Sequence, residues 1–225
     1  MRVLEELIEK NEPAWPLVTS WIGEAHNPVE VLARDEERCR AALLGLQVTT
    51  RSPMGAIAYE SGGLLVDNGW LRILGGGSAR LSRSITDWNA RKTNVAPGSP
   101  PEFLLVADDV LGGFFAVDGG GLTGSPGSVH YGGPDSFEWE NLELSYTSFV
   151  RFALFGDLER FYGDFRWPGW REEIAELSGD RAFSIYPFLW AEGPPIAERS
   201  RRAVPIGELW EMRREIGAQL RESDE

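Results

Sequence analysis

Hydrophobic positions along this chain change their period twice. Up to about residue 60 they recur at helical spacing, in the middle they gather into runs of four or five, and from Tyr146 onward the helical spacing returns. Val3, Leu4, Leu7 and Ile8 predict a first short helix. Trp15, Val18, Trp21 and Ile22 predict a second, starting near Pro13 and ending near His26-Asn27-Pro28. Val29 to Leu32 reads as a short strand. Asp35 then has the place of an N-cap before a helix carrying Cys39, Ala42, Leu43 and Leu46, and Ser52-Pro53 opens another through Met54, Ile57 and Ala58 to Tyr59.

The middle of the chain reads as β structure. Leu64 to Asp67 and Trp70 to Leu74 flank Asn68-Gly69, a dipeptide that tolerates positive φ and so predicts a tight hairpin. Ser84 to Arg91 has room for one or two helical turns, and Thr93 to Pro101 has the composition of a loop. Phe103 to Tyr131 organises the rest: FLLVADD, a turn through Val110-Leu111-Gly112-Gly113, FFAVD, a glycine-rich tip and SVHYG make a three-stranded meander. Phe103 to Val106 is apolar without alternation, which predicts a strand covered on both faces and central in its sheet. Pro134 to Glu143, with Phe137, Trp139 and Leu142 among acidic residues, reads as an edge strand or an extended connector whose charges discourage further pairing.

Tyr146, Phe149, Val150, Ala153 and Leu154 follow the helical template most clearly, with Gly156 as the stop. Asp157 can cap a further helix with Leu158, Phe161, Tyr162 and Phe165 on one face, before Trp167-Pro168-Gly169-Trp170 breaks the chain. Glu172 to Leu177 is a short helix, and FSIYPFLW (Phe183 to Trp190) is strand-like with Pro187 confining it to an edge or an end. Pro194-Pro195 and the Arg199 to Arg202 cluster read as loop. A last helix over Ile206 to Leu220 buries Leu209, Met212, Ile216 and Leu220. Strands in the middle and helices on either side predict a single α+β domain over 1–225, with a mainly antiparallel central sheet flanked by helices.

Charge narrows the function classes. The 35 acidic residues exceed the 22 basic ones for a net charge of -13, which repels phosphate backbones and anionic bilayers, so neither nucleic acid nor membrane is an expected ligand. A basic protein partner is electrostatically favoured. Cys39 is the single cysteine and fits a buried structural thiol. MRVLEELIEK lacks the apolar core of a signal peptide and no apolar run reaches the roughly 20 residues that span a bilayer, so the expected location is cytoplasmic.

Most catalytic constellations are missing. Lys10 and Lys92 are the only lysines and neither stands in a P-loop; the glycine clusters lack GxGxxG; no GxSxG occurs; His26 and His130 are not in HExxH spacing. No cofactor and no metal is called for. Asp108 and Asp109 end the FLLVA strand, where paired carboxylates either hold a divalent cation, act as a raised-pKa acid with its neighbour, or make the turn through side-chain to backbone hydrogen bonds. His130 lies in the SVHYG strand, where it is either a satisfied residue or a base. Trp167, Trp170 and Trp190 are candidates for an interface between copies of the chain.

The order of these pieces resembles the SUKH superfamily, a bacterial α+β fold that includes immunity proteins of polymorphic toxin systems. YESGG (Tyr59 to Gly63), WLRIL (Trp70 to Leu74), Trp88-Asn89, Phe103 to Asp118, Val129-His130-Tyr131 and the helix with Phe149 carry the resemblance, over about residues 55–162. Residues 1–50 then form a helical N-terminal segment and 167–225 a C-terminal extension. The whole chain, through EPAWPLV, VTTRSPMGAIAYESGGLLVDNGWLRILG, FLLVADDVLGGFFA and RFYGDFRWPGW, is similar to an uncharacterised bacterial family of unknown function. The SUKH resemblance implies a non-enzymatic protein-binding domain, with toxin neutralisation as its specific form. Binding is expected at exposed groups near the sheet: Asp108, Asp109, Asp135, Glu138 and Glu140. The alternatives are an enzyme using Asp108 or Asp109 with His130 on a small molecule or metal, and a homo-oligomeric structural protein.

Overall fold

The computed structural model describes residues 1–92 and 101–223. Seven strands form one sheet, β1 (Val29–Val31), β2 (Gly63–Val66), β3 (Leu71–Leu74), β4 (Phe103–Asp109), β5 (Phe114–Asp118), β6 (Ser128–Gly132) and β7 (Glu140–Ser145). They lie in sequential order and every neighbouring pair is antiparallel, so the fold is α+β as its hydrophobic pattern predicts. β4 is the fourth of seven, which is why its apolar run does not alternate.

Pairing fixes which side chains share a face. Arg72, Asp108 and Phe114 stand side by side across β3, β4 and β5, and Ile73, Ala107, Phe115 and Tyr131 stand side by side on the opposite face. The second face is covered by α6 (Tyr146–Phe155) and α7 (Leu158–Tyr162), with Phe149 4.8 Å from Phe115 and Phe161 5.2 Å from Tyr131 between ring centroids. The first face receives a separate hairpin, β8 (Arg181–Tyr186) with β9 (Ser200–Pro205), and the last helix α9 (Ile206–Ser223). Phe183 N–H donates to the Val110 carbonyl at 2.7 Å, and Trp210 meets Phe114 edge-on at 5.0 Å.

The N-terminal helices are α1 (Leu4–Leu7), α2 (Trp15–Gly23), α3 (Glu36–Leu46) and α4 (Pro53–Glu60), and the last two follow their caps: Asp35 accepts from Arg38 N–H and Ser52 from Gly55 N–H. Proline is in the first turn of α2 as expected, but at Pro16 and not Pro13. α5 (Ile85–Lys92) lies where one or two helical turns were expected, and α8 (Trp170–Ala175) follows the Trp-Pro-Gly-Trp break. Cys39 is buried, its thiol pushed up by burial. No helix of the described residues is long and apolar enough to cross a membrane.

Several local expectations are corrected. The β2–β3 connection runs through Asp67, Asn68, Gly69 and Trp70, the first three at φ of 51°, 60° and 88°, so Trp70 belongs to the turn. Phe137 and Trp139 precede β7. Arg199 to Arg202 is not all loop: Arg201 and Arg202 stand opposite Ile185 and Ser184 in the β8–β9 hairpin, which needs apolar residues on one face only and finds one in buried Val204. Of the four positions expected to be buried on the last helix only Leu209 is; Met212 and Ile216 are half-buried and Leu220 is 49% exposed. Of the Thr93 to Pro101 loop, residues 93–100 lie outside the described residues.

Candidate functional site

The five acidic positions expected on the surface divide into two groups. Asp108 and Asp109 are fully buried, which corrects their placement among exposed binding groups. Adjacent on β4, they point to opposite faces and hold the fold. Asp108 Oδ1 lies 2.6 Å from Arg72 Nε, its Oδ2 pairs with Arg83 Nη1, and Arg83 Nε reaches Asp180 Oδ1 at 3.1 Å. The remaining Arg72 nitrogens donate to the carbonyls of Asp109 and Arg181, so one buried guanidinium joins β3, β4 and β8. A buried charge is tolerated when it is both paired and hydrogen-bonded.

Asp109 is the turn-maker. Its Oδ1 accepts from Leu111 N–H and Gly113 N–H, both at 2.9 Å, and its Oδ2 from the Tyr131 hydroxyl at 2.8 Å. Burial pushes the Asp109 carboxyl above its ordinary range, while the Tyr131 hydroxyl, the two amides and Arg72 pull the other way. Burial likewise pushes the Tyr131 phenol well above its ordinary range, helped by the Asp109 charge. Gly113 is required by close approach: a Cβ there would lie 2.2 Å from Asp109 Oδ2 and 2.5 Å from the Tyr131 hydroxyl.

Asp135, Glu138 and Glu140 are exposed and border one cavity of about 460 Å3. Its walls are Tyr131, Trp139, Phe161 and Phe165. Two elements position it. Tyr131, fixed by Asp109, and Phe161, on α7, come from the helix-covered face of the sheet. The connection from Gly133 to Trp139 is gripped by Arg213 of α9, which donates to the carbonyls of Gly133 (2.8 Å), Ser136 and Glu138 (2.8 Å) and lies over the Trp139 ring at 5.2 Å. Gly132 permits this, since a Cβ there would lie 2.7 Å from Arg213 Nη2. Burial lowers the Arg213 guanidinium to about 10, against the raising influence of Tyr131, Glu138 and Asp135, and it remains charged at neutral pH. No ion pair engages Asp135, Glu138 or Glu140 among the described residues.

His130 does not join Asp108 or Asp109. It is buried with Nε2 2.7 Å from the Thr123 carbonyl, and it points away from the face on which Asp109 meets its neighbour Tyr131. Asp108 is taken up by two arginines. The shared acid and base pocket of the enzyme alternative is therefore not formed by these three residues. Among the described residues no three His, Cys, Asp or Glu side chains gather as a metal site.

The tryptophans expected at an interface separate too. Trp167 and Trp170 are buried around Trp70, at 5.7 and 5.0 Å, with Arg166 lying over Trp70 and Trp170 and paired to Asp67. Only Trp190, 39% exposed, stays at the surface, stacked on Phe188 at 5.0 Å. Sequence reasoning missed Tyr131, Phe161, Phe165 and Arg213 as parts of one site. Phe161 and Phe165 were visible as a helical pair, but nothing in their spacing shows that they face the acidic connection.

Two curated relatives align over nearly the full length of the chain. It is 44% identical over 217 residues to the uncharacterized protein YbfG of Escherichia coli (strain K12), covering 94% of this chain and 95% of the relative. It is 40% identical over 207 residues to an uncharacterized protein of Haemophilus influenzae (strain ATCC 51907 / DSM 11121 / KW20 / Rd), covering 92% and 91%. Residues 4–209 match the family described as protein of unknown function DUF2625, a span that includes the sheet, the cavity and the β8–β9 hairpin, and the chain belongs to that family.

Proposed function

We propose that this chain is a non-enzymatic, cytoplasmic protein-binding domain that engages a basic protein, in the manner of SUKH immunity proteins that neutralise toxins. The observation that carries the reading is the cavity bordered by the 133–140 connection, whose three rim carboxylates make no ion pair among the described residues. A net charge of -13 adds long-range attraction for a cationic partner and repels nucleic acid. The SUKH part rests on the sequential antiparallel strands with Asp109 and Gly112-Gly113 at the β4–β5 turn and Asn89 against β4. A nuclease toxin fits the stated chemistry, because it must itself be cationic to hold its substrate.

The test is retention on the immobilised protein from a lysate of its own source, beside an equally acidic control protein. The reading expects one basic protein held at low salt and released as salt rises, absent from the control. Retention equal to that of the control would overturn it. The homo-oligomeric reading keeps only Trp190 of its three tryptophans, with Tyr186, 66% exposed, as an added exposed ring, and light scattering over a concentration series tests it separately.

A further inference from the structure

We propose that the cavity is a socket for a single arginine side chain of the partner; this rests on the basic-partner reading and names its anchor. Four properties select a guanidinium. The walls are aromatic, with Tyr131, Trp139, Phe161 and Phe165 around about 460 Å3 of space, and a planar, weakly hydrated guanidinium stacks on such faces where a compact ammonium does not. Carboxylates stand at the rim, so the charged end meets Glu138, Glu140 and Asp135 while the stem lies against the rings.

The third property is preorganisation. Arg213 occupies the backbone carbonyls of the 133–138 connection and leaves the side-chain carboxylates unclaimed, so the rim is held in place without being neutralised by pairing. Its own charge stands against three carboxylates, and the field of Asp135 and Glu138 reaches it. Tyr131 is likewise fixed from behind by Asp109. The backbone of the connection and the Tyr131 ring therefore need little ordering on binding, which favours affinity. The fourth is that Trp139 already receives one guanidinium, Arg213 at 5.2 Å, so this ring's electron-rich face is used by the chain itself in the way proposed for the partner.

The flanking surface suits a protein segment. Phe137, on the same connection, turns the other way to meet Trp190 at 5.5 Å, and Trp190 stacks on Phe188. An arginine in the socket would carry its neighbouring residues toward this cluster, in which Trp190 is exposed and Phe137 and Phe188 are half-buried.

The test uses the full chain, isotope-labelled, titrated with N-acetyl-arginine amide, with its uncharged isostere N-acetyl-citrulline amide and with N-acetyl-lysine amide. Saturable shifts at the Trp139 indole and at amides of residues 133–140 are expected with the arginine compound and not with the citrulline one, and affinity should fall about tenfold or more in D135N/E138Q/E140Q. Unchanged signals elsewhere in that variant would certify its fold. Equal binding of citrulline or of lysine overturns the assignment to a guanidinium, and no saturable shift overturns the socket. If a basic partner is still retained in a salt-dependent way while the arginine compound shows no shift, the socket fails and the broader reading stands; if both are absent, both fail.

Discussion

Arg72 and Asp108 face each other across β3 and β4 with Nε 2.6 Å from Oδ1, both buried, and Asp108 is shared with Arg83. Removing the carboxylate leaves the Arg72 guanidinium without its counter-charge in the interior and leaves Arg83 with Asp180 alone. Asp108→Ala is therefore expected to destabilise by about 3–5 kcal/mol. Replacing Arg72 by Met in the same chain should recover part of this by removing one stranded charge. Chemical denaturation of the single and double variants checks it; equal or greater loss in the double would show that the pair is not coupled.

Asp109 sets a pH dependence of defined sign. Its carboxyl is raised in the native state, so the native protein holds a proton that the unfolded chain has released, and stability falls as pH rises from the unfolded carboxyl range near ~4 toward the raised native value. Asn cannot ionise, yet its oxygen can accept from Leu111 and Gly113 and its NH2 can donate to Tyr131. Asp109→Asn should gain on the parent as pH climbs from about 4 to about 7. Urea unfolding at intervals across that range measures the difference; a constant gap, or one moving against the variant, contradicts the assignment.

Asn89 completes the central strand where β3 no longer reaches. β3 pairs with β4 only from Asp109 to Ala107, and the Asn89 amide then donates to the Leu105 carbonyl and accepts from the Leu105 N–H, both at 2.8 Å. Asn89→Ala strands two buried backbone groups and is expected to cost about 2–4 kcal/mol. A thermal melt that matches the parent would mean that other groups satisfy Leu105.

Arg213 couples the C-terminal helix to the cavity. Arg213→Met keeps much of the stem but loses the charge and the hydrogen bonds to three carbonyls, and should speed amide exchange selectively in residues 134–139 with a stability loss of about 2 kcal/mol. Exchange accelerated equally everywhere would point to general destabilisation instead.

The central sheet was legible because its signal is local. The unbroken apolar run of β4 reflects cover on both faces, Asp35, Ser52 and Asp157 each cap the helix they precede, and Gly156 ends α6. What could not be read is long-range side-chain company. Asp108 and Asp109 look alike in sequence, but the strand's alternation sends one to Arg83, 25 residues away, and the other to Tyr131, 22 residues away. Trp167, Trp170 and Trp190 are equally apolar, but the first two, on either side of a turn at Gly169 with φ of 81°, both pack on Trp70, a residue some hundred positions earlier in the chain. β9 was hidden because its exposed positions carry Ser200 and Arg202, the composition of a loop.

The central claim is that the acidic residues divide into a buried set that holds the fold and an exposed set that binds. Its most direct measurement is the melting temperature of D135N/E138Q/E140Q together with its retention of the basic partner held by the parent protein. The account predicts a melting temperature close to the parent's, because exposed charges contribute only about 0–1 kcal/mol each, with retention lost. A marked fall in melting temperature with retention intact would contradict it.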